Sequence, residues 1–305
     1  FERGAHGWSV YVEGVARVLE ESLGPLPAVE AVVWGDVPLG SGLSSSAALE
    51  VAAGFFLLEA AGAAMPLPDL ARACQAAENR FAGVQCGIMD QFASCLAKQD
   101  AAVFLDCRSL EFEYVPVVLD DFVLLVLNTN VPRTLAGSAY NDRRASCEQG
   151  VRILRQSLPH IRALRDVTLE QFRDLEHLLP PETAARCRHV VSENRRALDS
   201  VDALRKGDMA AFGELMNASH RSLRDDYEVT CRELDLLHAA ACGMKGVAGE
   251  RMTGAGFGGC AVALVRKDRA AAVEAGLREV YQRETGRALD VYITRAMPGV
   301  RRIEL

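Results

Sequence analysis

Residues 38–48, PLGSGLSSSAA, form the stretch on which the reading of this chain turns. Just before it, residues 29–37 are rich in β-branched side chains and predict a strand that ends at Pro38. Just after it, SSSAALEVAAGFFLLEAAG favours helix and is apolar enough to predict a buried one. Gly40 and Gly42 permit close backbone approach and dihedrals that other residues resist. A bound phosphate chain needs that geometry, together with a helix N-terminus whose amides and dipole face the anion. Ser44, Ser45 and Ser46 add hydroxyls that can cap the helix, and Ser46 can turn to a magnesium ion. An ordinary Pro-Gly turn with a serine N-cap has the same composition, so the loop alone leaves both readings open. No lysine follows the serines, which excludes a Walker P-loop.

Working outward, residues 67–81 predict an amphipathic helix with Pro68 near its first turn, and 90–97 a helix entered at Gly87. Residues 101–107 and 110–118 predict paired strands, and 122–128 (FVLLVLN) a buried one. Helices are expected over 138–157, 168–178, 182–206 and 208–223. Strands are expected over 243–251, 260–266 and 290–296, with a helix at 268–285 between the last two. A seam near 118–121 divides the chain into expected domains 1–118 and 119–305.

The chain has 305 residues and a formal net charge of −7, so a general positive field for nucleic acid or anionic membranes is excluded. Nine cysteines, an odd number with no CxxC, predict reduced thiols in a cytoplasmic protein. The six histidines show no HxxxH or HExxH spacing, so no zinc site is expected. No uncharged apolar run is long enough for a membrane span, and FERGAHGWSV does not read as a signal peptide.

Asp90 follows Cys86-Gly87-Ile88-Met89 and opens a helix, as a cap or as a carboxylate placed to orient and deprotonate a hydroxyl. Glu78 sits among Ala76, Ala77 and Phe81, a setting less exposed than an amphipathic face usually offers a glutamate. Tyr140 follows the polar exit of the 122–128 strand and can pack or bind a ligand. Gly254, Gly256 and Gly259 match GxGxxG in letters, but CAVALV after them reads as a strand, so the dinucleotide reading fails. In HRSLRDDYEVT (220–230), Asp225 and Asp226 follow two arginines and read as a helix-end salt-bridge cluster. Arg143 and Arg144 take the same reading.

PLGSGLSSSAALEVA resembles the second signature of the GHMP kinases, and in detail that of galactokinases. QAAENRFAG (75–83), CGIMDQFAS (86–94), LDCRSLE (105–111), RTLAGSAYNDRR (133–144), HRSLRDDYEVT and RMTGAGFGGC (251–260) resemble galactokinase segments in the same order. The resemblance covers nearly the whole chain. It implies an α+β, two-domain GHMP kinase fold: an N-terminal domain like ribosomal protein S5 domain 2 and a ferredoxin-like C-terminal domain. It implies a kinase that uses ATP and Mg²⁺ to phosphorylate the anomeric hydroxyl of D-galactose, with no nucleic-acid or membrane partner, acting as a monomer. By resemblance, Gly40, Gly42, Leu43, Ser44, Ser45 and Ser46 bind ATP. Ser46 and Glu78 hold the metal, Asp90 is the base, and Gly87, Asp90 and Tyr140 meet the sugar.

Two departures stand near Tyr140: Ala139 where glutamate is common in the family, and Pro132 where a basic residue is usual. The family's N-terminal GEHTDY-type signature does not occur in these residues. The chain is therefore expected to be a truncated galactokinase with little or no kinase activity by itself. Other expectations consistent with the motifs are a kinase for N-acetylgalactosamine or another GHMP substrate, or a non-catalytic sensor of galactose and ATP. The complete serine run at 44–46 favours catalytic ancestry over the sensor.

Overall fold

The computed structural model describes residues 7–83, 85–131 and 136–303, with the backbone alone for 136–140. The chain forms two compact units. The first holds the described residues up to Leu39, Ser44–Val118 and the chain from Arg295 on; the second holds Gly40–Leu43 and Leu119–Thr294.

In the first unit, helices α1 (Ser9–Leu23), α2 (Ser45–Ala61), α3 (Leu67–Ala77) and α4 (Met89–Leu96) accompany an antiparallel hairpin, β1 (Ala101–Leu105) and β2 (Phe112–Pro116). Val15 and Leu19 of α1, Val51 and Leu58 of α2, Leu70 and Cys74 of α3 and Phe92 of α4 share one core. Small residues let the helices close up: a Cβ on Gly54 would stand 2.7 Å from Leu70 and 3.1 Å from Val15. Pro68 lies in the first turn of α3, where its missing N–H costs nothing. α2 is not buried all round as its composition predicts. Ala47, Glu50, Val51, Gly54, Leu57 and Leu58 are buried, while Phe56 is exposed.

The strand expected over 29–37 is absent. No described strand pairs with this stretch, and Val32 and Trp34 are 97% and 84% exposed. β-branched residues favour a pleated, half-buried surface only where a neighbouring strand supplies the ladder and the packing. Here neither is present.

The second unit is built on an antiparallel sheet of β3 (Phe122–Asn128), β4 (Val247–Met252), β5 (Cys260–Arg266) and β6 (Asp290–Thr294), in the order β4-β5-β3-β6. Numbered along the chain this is 2-3-1-4, the split-βαβ arrangement that the resemblance implies. Helices α5 (Ala136–Leu154), α6 (Leu169–Leu175), α7 (Pro181–Arg205), α8 (Met209–Ser222) and α9 (Arg232–Cys242) lie between β3 and β4, and α10 (Ala270–Thr285) between β5 and β6. α9 falls in a stretch for which the sequence reading names no element. Leu234, Leu237 and Ala241, at helical spacing, join Leu277 and Tyr281 of α10 over the sheet residues Leu125, Leu127, Ala261 and Ala263. α5, α6 and α7 enclose a second core with Leu154, Phe172, Cys187 and Val191. Among the described residues, no helix is long and apolar enough to cross a membrane.

Candidate active site

The loop before α2 is built on left-handed backbone. Gly40 has φ +68°, Gly42 +83° and Ser44 +58°. A Cβ on Gly40 would meet nothing within 4 Å, so the dihedral, not close approach, calls for glycine there. Ser44 occupies the N-cap position of α2 but makes no side-chain cap hydrogen bond, contrary to the capping reading. A capping serine takes the β region to set its oxygen over the N2 or N3 amide, and the left-handed conformation does not. The uncapped helix start keeps orphan N–H donors and the positive dipole end for another acceptor. Ser44, Ser45 and Ser46 are half-buried around this start, and Leu43 precedes them.

Three elements of the first unit converge on a buried polar set. α3 runs into a single wide turn, Glu78–Ala82, closed by the Gly83 N–H on the Glu78 carbonyl at 2.9 Å. Glu78 on this turn is buried, as is Glu50 on α2, and Gln91 on α4 lies between them. The Gln91 amide Nε2 donates to Glu78 Oε2 at 2.6 Å and to Glu50 Oε2 at 3.1 Å. The Cys86 thiol donates to Glu78 Oε2 at 3.2 Å. Burial, then the neighbouring Glu78 carboxylate, pushes the Glu50 carboxyl up to about 8, opposed by the Gln91 hydrogen bond. Burial and the two glutamates also raise the Tyr11 phenol. Glu50 Oε1 and Gln91 Oε1 are buried and lack a hydrogen-bond partner.

Asp90 stands beside Gln91 in the first turn of α4 and is half-buried. It is not the cap, a position taken by Ile88. Among the described residues its side chain takes part in no hydrogen bond or ion pair, which leaves its oxygens free for a ligand hydroxyl. Gly87 lines a cavity of about 900 Å³ with Arg72, Arg80 and Arg108, whereas Asp90, Glu78 and the serine loop are not among its lining residues. The side chain of Tyr140 lies outside the described residues, as do Pro132 and the Ala139 side chain.

In the second unit the glycine loop joins β4 to β5, so a strand follows it and the dinucleotide fingerprint is excluded as expected. Gly256 has φ +85°, and a Cβ there would stand 2.0 Å from the Val229 carbonyl oxygen. That carbonyl accepts the Phe257 N–H at 2.7 Å. The HRSLRDDYEVT motif places Val229 there. α8 ends in a wide turn, Leu223–Tyr227, and Glu228 leaves it at φ +52°. Arg143 donates to the carbonyls of Tyr227 at 2.7 Å and Glu228 at 2.9 Å. Buried Arg186 donates to the Asp226 carbonyl and, at 2.6 Å, to the Glu228 carboxylate. The salt-bridge reading fits Arg224–Asp225 at 2.7 Å, Arg188–Asp226 at 2.8 Å and Arg144–Glu148 at 3.0 Å. Arg143 does more, because it fastens the turn that supports the glycine loop.

Residues 10–98 match the GHMP kinases N terminal domain and residues 200–283 the GHMP kinases C terminal domain. A galactokinase of Roseiflexus sp. is 45% identical over 302 residues, covering 99% of this chain and 77% of that protein. The chain belongs to the galactokinase family. Human galactokinase is 44% identical over 300 residues, covering 98% of this chain and 74% of that protein. The crystal structure of Lactococcus lactis galactokinase complexed with galactose matches 98% of the chain and 77% of its own at 38% identity, with a TM-score of 0.91. A homoserine kinase from Cytophaga hutchinsonii, 18% identical with a TM-score of 0.63, shares the fold. Two polar residues of this candidate site, Glu50 and Gln91, are not among those expected from the sequence. Glu50 did leave a signal, as the one charge in the buried Ala47-Val51-Gly54 stripe of a mostly apolar helix.

Proposed function

We propose that this galactokinase-family chain transfers the γ-phosphoryl group of ATP to the anomeric hydroxyl of D-galactose, giving galactose 1-phosphate and ADP. Asp90 accepts the proton of that hydroxyl as its oxygen attacks phosphorus in line with the departing ADP oxygen. The serine loop, Gly40 and Gly42 through Ser46, holds the phosphates with backbone N–H groups and the positive end of α2. Gly87 and Tyr140 shape the sugar side.

Glu78 and Ser46 are the residues that would hold Mg²⁺. A buried carboxylate and a hydroxyl are hard oxygen donors of the kind the ion takes, and two buried oxygens beside Glu78 have no hydrogen-bond partner among the described residues. Bound there, the ion would neutralise charge on the β- and γ-phosphate oxygens. Gln91 meanwhile fixes Glu78 in place and separates it from Glu50.

The observation that carries this reading is the TM-score of 0.91 over 98% of the chain to a galactokinase crystallised with galactose. The test is ADP release by the full-length protein with D-galactose and with N-acetylgalactosamine as acceptors. Turnover with galactose at least tenfold faster is expected. Preference for N-acetylgalactosamine, or ADP release independent of sugar, would sink the assignment.

A further inference from the structure

We propose that His220, His238 and Glu250 form a binding site for one transition-metal dication of the zinc class. The three lie in the second unit, on α8, α9 and β4, and none belongs to the proposed ATP or sugar site. Histidine spacing gave no hint of such a site, because the residues come together only through tertiary packing. α8 lies directly on β4. A Cβ on Gly213 would stand 2.3 Å from the Ala248 carbonyl oxygen, and one on Gly249 2.1 Å from that of Gly213. That approach sets His220 Nδ1 3.7 Å from Glu250 Oε2, while α9 brings His238 Nδ1 to 2.7 Å of the same oxygen.

All three residues are buried, and their ligating atoms lie within 4.8 Å of one another. Around a tetrahedral zinc ion with bonds of about 2.0–2.1 Å, neighbouring donor atoms stand about 3.3 Å apart. The two separations from Glu250 bracket that value. His220 already has a carboxylate at its other nitrogen. Its Nε2 faces Asp235 Oδ1 at 3.3 Å, and its Nδ1 accepts the Met252 N–H at 3.2 Å, so a metal takes the Nδ1 lone pair only in place of that hydrogen bond. A carboxylate behind the imidazole is the usual support of a metal-bound histidine.

A second observation points to a missing partner. Among the described residues, Glu250 Oε1 is buried and makes no hydrogen bond, although Glu250 N–H is satisfied by Asn217 Oδ1 at 2.9 Å. A buried carboxylate oxygen left unpaired is costly, and a cation would satisfy it. The Cys242 thiol, 3.8 Å from both ring nitrogens of His238, lies outside the three-residue cluster and donates to Asn217 Oδ1 at 3.4 Å, so it becomes a softer fourth donor only by turning from Asn217. Imidazole with thiolate favours zinc, cobalt or copper over magnesium or calcium. The two imidazoles are stacked, with centroids 4.0 Å apart and planes 7° from parallel. Metal binding therefore requires the rings to turn and gives up the long Met252 hydrogen bond.

The rival occupant is a proton shared by His238 and Glu250 as a buried ion pair. Titrating the metal-free full-length protein with Co²⁺ separates the two. Expected are one equivalent bound with visible tetrahedral d–d bands, a thiolate-to-cobalt band lost in Cys242→Ser, and a rise in Tm with one equivalent of Zn²⁺. The double variant His238→Val with Glu250→Ala leaves neither charge buried alone, so it should fold and bind Co²⁺ more than about 100-fold more weakly. Absence of the visible bands, or equal Co²⁺ affinity in the double variant, overturns the proposal in favour of the ion pair or of other thiols.

Discussion

Among the described residues, Asp90 keeps its side chain free of partners, whereas Glu78, twelve residues earlier, is buried and held by Gln91 and Cys86. The difference matches their proposed work, since a base must reach a substrate proton and a metal ligand must stand still. Gln91 is the hinge of the set, because its single amide nitrogen serves two buried glutamates. Gln91→Ala removes that donor and leaves both carboxyls short of a partner. Urea unfolding should show a loss of about 2–4 kcal/mol, one to two desolvation penalties. A loss under 0.5 kcal/mol would contradict the role. His189 makes a separate point in the second unit. Burial holds its imidazole down to about 4, and its Nδ1 meets the Ser222 hydroxyl at 3.0 Å. The unfolded chain takes up that proton near pH 6.5 and the folded chain only near 4, so the contribution is complete above 6.5 and is lost as pH falls between them. About 3 kcal/mol is at stake. Unfolding free energies measured from pH 7 to pH 4 should decline less steeply in His189→Gln than in the parent.

At the scale of elements, most described helices and all six described strands lie where periodicity and turn residues put them, and β3 and β5 coincide with their expected ranges. The two failures have one cause. Residues 29–37 have strand composition without a partner, and α9 has ordinary helix composition with no Pro or Gly boundary before it. Local pattern decides an element only where tertiary packing agrees with it. The glycines show a further division that letters alone hide. Gly256→Ala meets both a positive φ and a carbonyl 2.0 Å away, whereas Gly40→Ala meets a positive φ alone. Thermal unfolding should therefore cost Gly256→Ala more than about 3 kcal/mol and Gly40→Ala about 1–2 kcal/mol. Equal losses would mean that the Val229 contact carries no constraint.

Across the whole molecule, the candidate site is legible in part. The serine loop, Glu78, Gly87 and Asp90 carry local signals: glycine dihedrals, a glutamate among alanines, an aspartate at a helix start. Glu50 with Gln91, and His220 with His238 and Glu250, become clusters only when distant segments pack, and no spacing rule reaches across 41 residues or from one helix to another. Net charge argued only against a general positive field for nucleic acid or anionic membranes. Relatives 44–45% identical and a galactokinase of the same fold place the chain in its family. What remains to be measured is the chemistry at Asp90. Galactose 1-phosphate formed by the full-length protein should be followed by rapid quench, for the parent and for Asp90→Asn, with ATP affinity measured on both. Loss of the base should slow the transfer step by about 10²–10⁴-fold while ATP affinity and Tm hold. Transfer by Asp90→Asn within about threefold of the parent would contradict the assignment of Asp90 as the base.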